Sequence, residues 1–260
     1  MERIEPKVFL LGYTKSLISD NPESIAAAAG KLCYSKAGVS SIASKMSDEE
    51  VCRFVNMLAS MGHMSPIEHI SFTFAIEGIS RTCSHQLVRH RIASYSQQSQ
   101  RYVDLKDTFQ YIIPEAIYNN DKARELYIES MDSDFCKYKE ITDALCNDYI
   151  KDGLNEKAAL KKALEDARFA LPNACETKII VTMNARSLLH FFEERLCNRA
   201  QWEIRIVASK MLDLVLDICP NIFAKAGAPC TFSKCPEGKM SCGNRVLPTE
   251  KQKRLTKGKD

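Results

Sequence analysis

Apolar residues recur along this chain at two periods, and each period predicts an element. Over 70–77, Ile70, Phe72, Phe74 and Ile76 alternate with Ser71, Thr73, Ala75 and Glu77, the pattern of a half-buried strand. "KVFLLGYT" near the start reads as an edge strand and "ETKIIVTMN" as another strand. Elsewhere the spacing is helical. "NPESIAAAAGKLCYS" predicts a short helix near Pro22, with proline tolerated in the first turn. Ser47 and Glu50 make a capping-box pair ahead of Val51, Phe54, Val55, Leu58 and Ala59, and Gly62 ends that run.

A long helix is predicted from about Asn119 to Asp152. Ile128, Met131, Phe135, Tyr138, Thr142, Leu145 and Tyr149 step by threes and fours along one face before Gly153. Another helix begins at Asn155 and ends at "RFALP", since Pro172 disfavours helix at Leu171. "ARSLLHFFEERLCN" and "QWEIRIVASKMLDLVLDIC" give two more. With no repeated β-α unit, the order implies an α+β fold: mixed helices and a small, mostly antiparallel sheet in a single main domain with a long helical excursion. The expected division is a catalytic domain over 1–223 and a Cys/Gly/Pro-rich segment with a basic flexible tail over 224–260.

The chain has 260 residues, 45% of them apolar, enough for a core of ordinary size. No apolar run approaches the roughly 20 residues of a membrane span, and the start lacks a secretory signal pattern. A cytoplasmic location is expected, with no membrane partner. The net charge is +3, of which 244–260 contributes +4, leaving the rest near −1. That balance argues against a nucleic-acid binder. The eleven cysteines are scattered through apparent helices and read mostly as reduced thiols. Cys219, Cys230, Cys235 and Cys242 are separated by ten, four and six residues without a C-x-x-C pair, so no metal site is assigned.

Candidate chemistry concentrates in "VRHRIASYSQQSQRY", residues 88–102. Ser80 caps a helix predicted through Arg91, which would put Gln86 and Arg89 on neighbouring turns and leave the remainder a polar loop. Arginine is chosen over lysine where a planar, two-pronged grip on phosphate or carboxylate is needed. From the residues alone three readings stay open: a solvated basic helix end, a cradle for a small anion, and a grip on nucleic acid. There is no P-loop, no G-x-G-x-x-G, no G-x-S-x-G and no H-E-x-x-H.

"RHRIASYSQQS" resembles the R-H-R, seven residues, serine motif of the flavin-dependent thymidylate synthases. "GHMSPIEHISFTF", "ARFALP" and "NARSLLHFFEERL...AQWEIR" resemble three further blocks of that family, in its order, over about 50–223. The resemblance implies reductive methylation of dUMP to dTMP, with methylenetetrahydrofolate as carbon donor, FAD as hydride carrier, NADPH as reductant and no covalent enzyme nucleophile. It implies a homotetramer with sites at subunit junctions.

Carried over residue by residue, the resemblance assigns the nucleotide to Gln86, Arg89, Gln97, Gln98, Ser99, Gln100, Arg101, Arg168 and Arg195. It assigns the flavin to His63, Ser65, Arg89, His90, Arg91, Ile92, Gln97, Asn184, Arg186 and His190. Arg195 is its catalytic candidate, holding negative charge on the uracil ring as N3 loses its proton. Arg186 and His190 share a helical face, whereas Arg195 lies about 900° further round from Arg186, nearly opposite. Gln97 and Gln98 stand where family members often carry Glu-Leu, and Gln100 where glycine is common.

Overall fold

The computed structural model of the chain describes residues 3–17, 19–43, 46–106 and 108–257, with the backbone alone at position 43. Its elements run β1 (Lys7–Tyr13), α1 (Ser24–Leu32), α2 (Val39–Ala43), α3 (Asp48–Ser60), β2 (Ser71–Ser80), α4 (Arg81–Leu87) and β3 (Ala93–Gln97). Then come α5 (Glu115–Tyr118), α6 (Asp121–Lys151), α7 (Glu156–Ala167), β4 (Glu176–Asn184), α8 (Ala185–Arg195), α9 (Trp202–Ile218), α10 (Pro220–Phe223) and α11 (Glu250–Thr256). The strands form one antiparallel sheet in the order β1-β2-β4-β3, and the class is α+β, as expected. Among the described residues no helix is long and apolar enough to cross a membrane.

Two compact units, interleaved along the sequence, divide the chain: Met1–Pro6, Glu77–Gln86 and Ser96–Ile179 make the first, and Lys7–Ile76, Leu87–Tyr95 and Ile180–Asp260 the second. In the first unit α6 is the predicted long helix, started by the Asn120 side chain accepting from Ala123 N. Of its stripe, Met131, Tyr138 and Thr142 are buried. Tyr138 packs with Leu105, Leu164, Ala167 and Cys175, and Phe135 stacks on Phe109 at 4.5 Å between centroids. The helix therefore gains its stability from one apolar seam rather than from propensity.

Gly78, in β2, has φ +70°, and a Cβ there would sit 2.6 Å from Glu5 O. Its N–H donates to the buried Glu176 Oε1 at 2.8 Å. Left-handed backbone and a backbone clash both oppose any side chain, so Gly78→Ala is expected to lower unfolding free energy by about 2 kcal/mol. Urea denaturation reads this directly.

In the second unit the predicted alternation of β2 is met: Ile70, Phe72, Phe74 and Ile76 are buried. Phe223 meets Phe72 and Phe192 edge-on at 5.7 and 5.9 Å. The Ser47/Glu50 capping box forms at α3. The lysine-rich tail, expected to be flexible, instead folds into α11 under a second capping box, Thr249 with Gln252. Gln252 is buried and its Nε2 donates to Ala226 O at 2.6 Å. Positions 258–260 of that tail lie outside the described residues.

Two expectations around the polar stretch are corrected. Ser80 does cap α4, accepting from Cys83 N at 3.0 Å, but the helix stops at Leu87 rather than running to Arg91. The Tyr95 hydroxyl lies 2.8 Å from Leu87 O and 3.1 Å from His90 O, and Arg91 Nη1 donates to Val88 O. These side chains satisfy carbonyls that a continuing helix would have used. Gln86 and Arg89 are thus not on neighbouring turns of one helix. The supposed loop contains β3, whose small polar residues alternate half-buried and exposed along a sheet edge.

Candidate active site

The expected site residues fall into two sets, one in each unit. In the first unit, β3 leads into a turn that carries Gln97 to Arg101. Gln97 Nε2 donates to Ser84 Oγ at 2.9 Å and Thr177 Oγ1 at 3.2 Å, and Gln98 N donates to Lys178 O. Ser99 Oγ accepts from Arg101 N at 3.1 Å, which closes the turn. Gln100 Nε2 lies 3.5 Å from Cys175 Sγ, and burial pushes that thiol's pKa up. Two of the three glutamines are therefore anchored to protein. At Gln97 the amide gives hydrogens to two hydroxyls from which a glutamate would have accepted, so the swap reverses polarity without losing the contacts.

Arg101 Nη2 pairs with Glu165 Oε2 at 2.9 Å, and Arg168 Nε donates to Glu165 O at 3.0 Å. A third guanidinium, which the sequence reading missed, joins them: Arg81 Nη2 donates to Gln98 O at 3.2 Å. Burial lowers its pKa, opposed by Cys175 and reinforced by the Arg168 charge. Arg81 Nε and Arg101 Nε are both buried without a hydrogen-bond partner. Buried cationic donors left open are costly unless an anion completes them. Of these three guanidiniums only Arg101 meets a carboxylate, Glu165, while Arg168 and Arg81 donate to backbone carbonyls, and acceptors are still owed. Position 81 opens α4 a turn before Gln86, and the only sequence signal for it was its place directly after the capping serine.

The second unit holds Arg89, His90, Arg91, Ile92, Asn184, Arg186, His190 and Arg195, with His63 and Ser65. His90 is 6% exposed and meets Phe191 edge-on at 4.9 Å. Its Nε2 accepts from Arg195 Nε at 2.8 Å, which puts the ring proton on Nδ1. Burial, and next the Arg195 charge, lower the His90 pKa to about 4, against the opposing pull of Glu194. His190 Nε2 lies 3.2 Å from Glu194 Oε1. Ile92 N donates to Ser187 Oγ at 3.2 Å, tying the motif to α8. Tyr95, Ser187 and Glu194 were not anticipated, and each works by holding the motif in place. Arg89, Arg91 and Ile92 are exposed.

Asn184 caps α8, its Oδ1 accepting from Ser187 N at 2.8 Å. Arg186 pairs with Glu68 at 2.5 Å, while Arg195 turns to His90, in keeping with their expected placement on opposite sides of the helix. A cavity of about 370 Å3 is lined by His63, Ser65 and Arg186 together, with Tyr34 stacked on His63 at 6.5 Å. A neighbouring cavity of about 490 Å3 takes in Arg186 again with His190, Met64 and Phe232. Both volumes fall within the range of small-ligand pockets. Residues more than a hundred positions apart converge here on shared walls: an aromatic pair, a guanidinium and an imidazole.

Residues 10–221 match the family described as thymidylate synthase complementing protein. A flavin-dependent thymidylate synthase of Clostridium tetani is 56% identical over 91% of this chain and 93% of its own length. Those of Geobacter sulfurreducens and Nitratidesulfovibrio vulgaris are 48% and 46% identical, covering 91% and 95% of this chain and 94% and 98% of theirs. On the match over 10–221 and these identities over most of both chains, the chain belongs to the flavin-dependent thymidylate synthase family.

Proposed function

We propose that the protein methylates dUMP to dTMP, taking the one-carbon unit from methylenetetrahydrofolate and reducing equivalents from NADPH. The observation that carries this reading is the set Arg81, Arg101 and Arg168, which meets a single carboxylate through Arg101 and leaves two buried guanidinium Nε atoms lacking acceptors. A phosphate monoester supplies the missing acceptors and charge. Ser99 and Gln98 border the same turn, and Gln86, Gln97 and Gln100 are the polar side chains nearest it along the chain for sugar and base. Arg89 and Arg195 complete the nucleotide set.

The residues of the second unit fit FAD: His63 and Tyr34 offer an aromatic wall, and Arg186 a cation for a diphosphate. Ser65, His190, Asn184, Arg89, His90, Arg91, Ile92 and Gln97 are the other residues proposed to hold it. When bound, FAD supplies hydride transfer, the one capability no side chain here has. Arg195 holds negative charge on the uracil ring as N3 loses its proton, which raises electron density at C5. His90 positions Arg195 by accepting from Nε and stays neutral while doing so. The resemblance implies a reaction without a covalent enzyme nucleophile, and Ser99 is assigned to binding rather than attack, its Oγ accepting from Arg101 N. A homotetramer with junctional sites belongs to the same reading and rests on the resemblance, and a cytoplasmic setting is proposed beside it.

The purified protein is expected to be yellow and to bleach with NADPH. It should release tritium from C5-labelled dUMP only when folate donor and NADPH are both present. Failure to release it in a yellow, NADPH-bleachable preparation favours a flavoprotein reductase with another acceptor. A colourless protein binding RNA with steep salt dependence favours a nucleic-acid binder. The phosphate assignment has its own check. Arg81→Ala and Arg101→Ala should each weaken binding of dUMP by about 10- to 100-fold and leave that of deoxyuridine nearly unchanged, as read by calorimetry.

A further inference from the structure

A third cavity, of about 610 Å3, lies in the second unit where α3, α10 and the end of α11 meet. Two cations line it, Arg53 from α3 and Lys225 just past α10, and no carboxylate does. Both are exposed, and among the described residues neither has an ion-pair or hydrogen-bond partner. Asn56, Ser60 and Thr256 add polar groups, while Met57, Ile222 and Ala224 supply an apolar wall. The cavity shares Ala59, Ile222 and Lys225 with the pocket that takes in His190, but not Arg53, Asn56 or Thr256.

The walls are fixed rather than adventitious. Asn221 Nδ2 and N, with Ile222 N, donate to the buried Glu23 carboxylate at 2.6 to 2.9 Å. Asn56 Nδ2 donates to Cys52 O at 2.8 Å. The tail helix is pinned by Gln252 to Ala226 O and by Lys251 to Asp213 O and Asp217, and so brings Thr256 to the rim. The stretch matched to the family stops at residue 221, before Ile222, Lys225 and Thr256.

We infer that this cavity is a second ligand site, for a small organic oxyanion that carries a carboxylate or phosphate on a short apolar body. Two unshared cations at the mouth of a partly apolar, acid-free pocket of metabolite size select that chemistry. A neutral molecule would gain nothing from the two exposed cations, and a bare inorganic ion would leave the apolar wall wet. The inference does not rest on the proposed reaction.

The test is calorimetric titration of the FAD-saturated full chain with 2-naphthoate, 1-naphthyl phosphate and the uncharged 2-naphthamide. One or both anions should saturate below about 1 mM, and their ranking identifies the head group. The amide should bind at least about tenfold more weakly. Arg53→Gln combined with Lys225→Gln should cost a similar factor, and Met57→Trp, which fills the apolar wall, should block the site at unchanged melting temperature. If Met57→Trp unfolds the protein, Ala224→Leu serves instead. Equal affinity for the amide, binding indifferent to both kinds of variant, or no saturation by either anion overturns the inference.

Discussion

Arg195→Ala, assayed at saturating dUMP, should lower kcat by about 10²- to 10³-fold, the loss typical when one preorganised donor to developing charge is removed. The geometry says why alanine and lysine should fail alike. Arg195 uses Nε to donate to His90 Nε2 at 2.8 Å, and one terminal nitrogen lies 3.8 Å from Glu194 Oε2. A guanidinium can be anchored at one edge and still present its other donors to a ligand, whereas an ammonium that takes the His90 contact has spent its single charge centre there. Arg195→Lys should therefore recover less than a tenth of the lost rate. Removing the guanidinium also leaves His90 Nε2 buried without its donor, at a cost of about 1 to 3 kcal/mol in stability. The two effects separate by measurement: urea unfolding reports the second, single-turnover tritium release the first. Near-normal turnover in Arg195→Ala with nucleotide bound would remove this residue from the chemistry.

What could be read from the sequence follows from how local each feature is. The alternation of Ile70 to Ile76 and the stripe of α6 are set by residues within a few turns of one another, and both elements stand where the periods put them. The four family blocks likewise carry their residue types in short spacings. β3 was hidden because its strand character comes from pairing in the sheet and not from its side chains: Ala93, Ser94, Ser96 and Gln97 have no apolar face to alternate. The end of α4 was missed for a related reason. The group that satisfies its last carbonyls is the hydroxyl of Tyr95, eight residues on, brought back by the fold. α11 looked disordered because its charge is high, yet Gln252 finds a buried acceptor in Ala226 O, 26 residues away. Arg81 illustrates the limit on site prediction: its importance lies in a buried Nε without an acceptor, a property of the packed turn that no spacing encodes.

The same interior that orients Arg195 should make the protein acid-sensitive in a definite window. His90 is held neutral, its folded-state pKa lowered to about 4 first by burial and then by the Arg195 charge, with Glu194 pulling the other way and His190 adding to the lowering. The unfolded chain returns it to about 6.5. Between these values the unfolded state binds a proton that the folded state refuses, so stability falls as pH falls and the contribution is fully present only above about 6.5. The loss attributable to His90 is about 2 kcal/mol at pH 5 and about 3 kcal/mol at pH 4. Other titrating groups contribute over the same range, so the comparison must be with His90→Gln, whose amide oxygen can accept from Arg195 Nε but takes no proton. The drop in unfolding free energy between pH 7 and pH 5 should be about 2 kcal/mol smaller in the variant. If the two proteins lose stability in parallel, the imidazole is not the neutral acceptor the geometry makes it. Arg195 would then face a cation rather than a lone pair at the moment the proposed mechanism asks it to hold charge on the uracil ring.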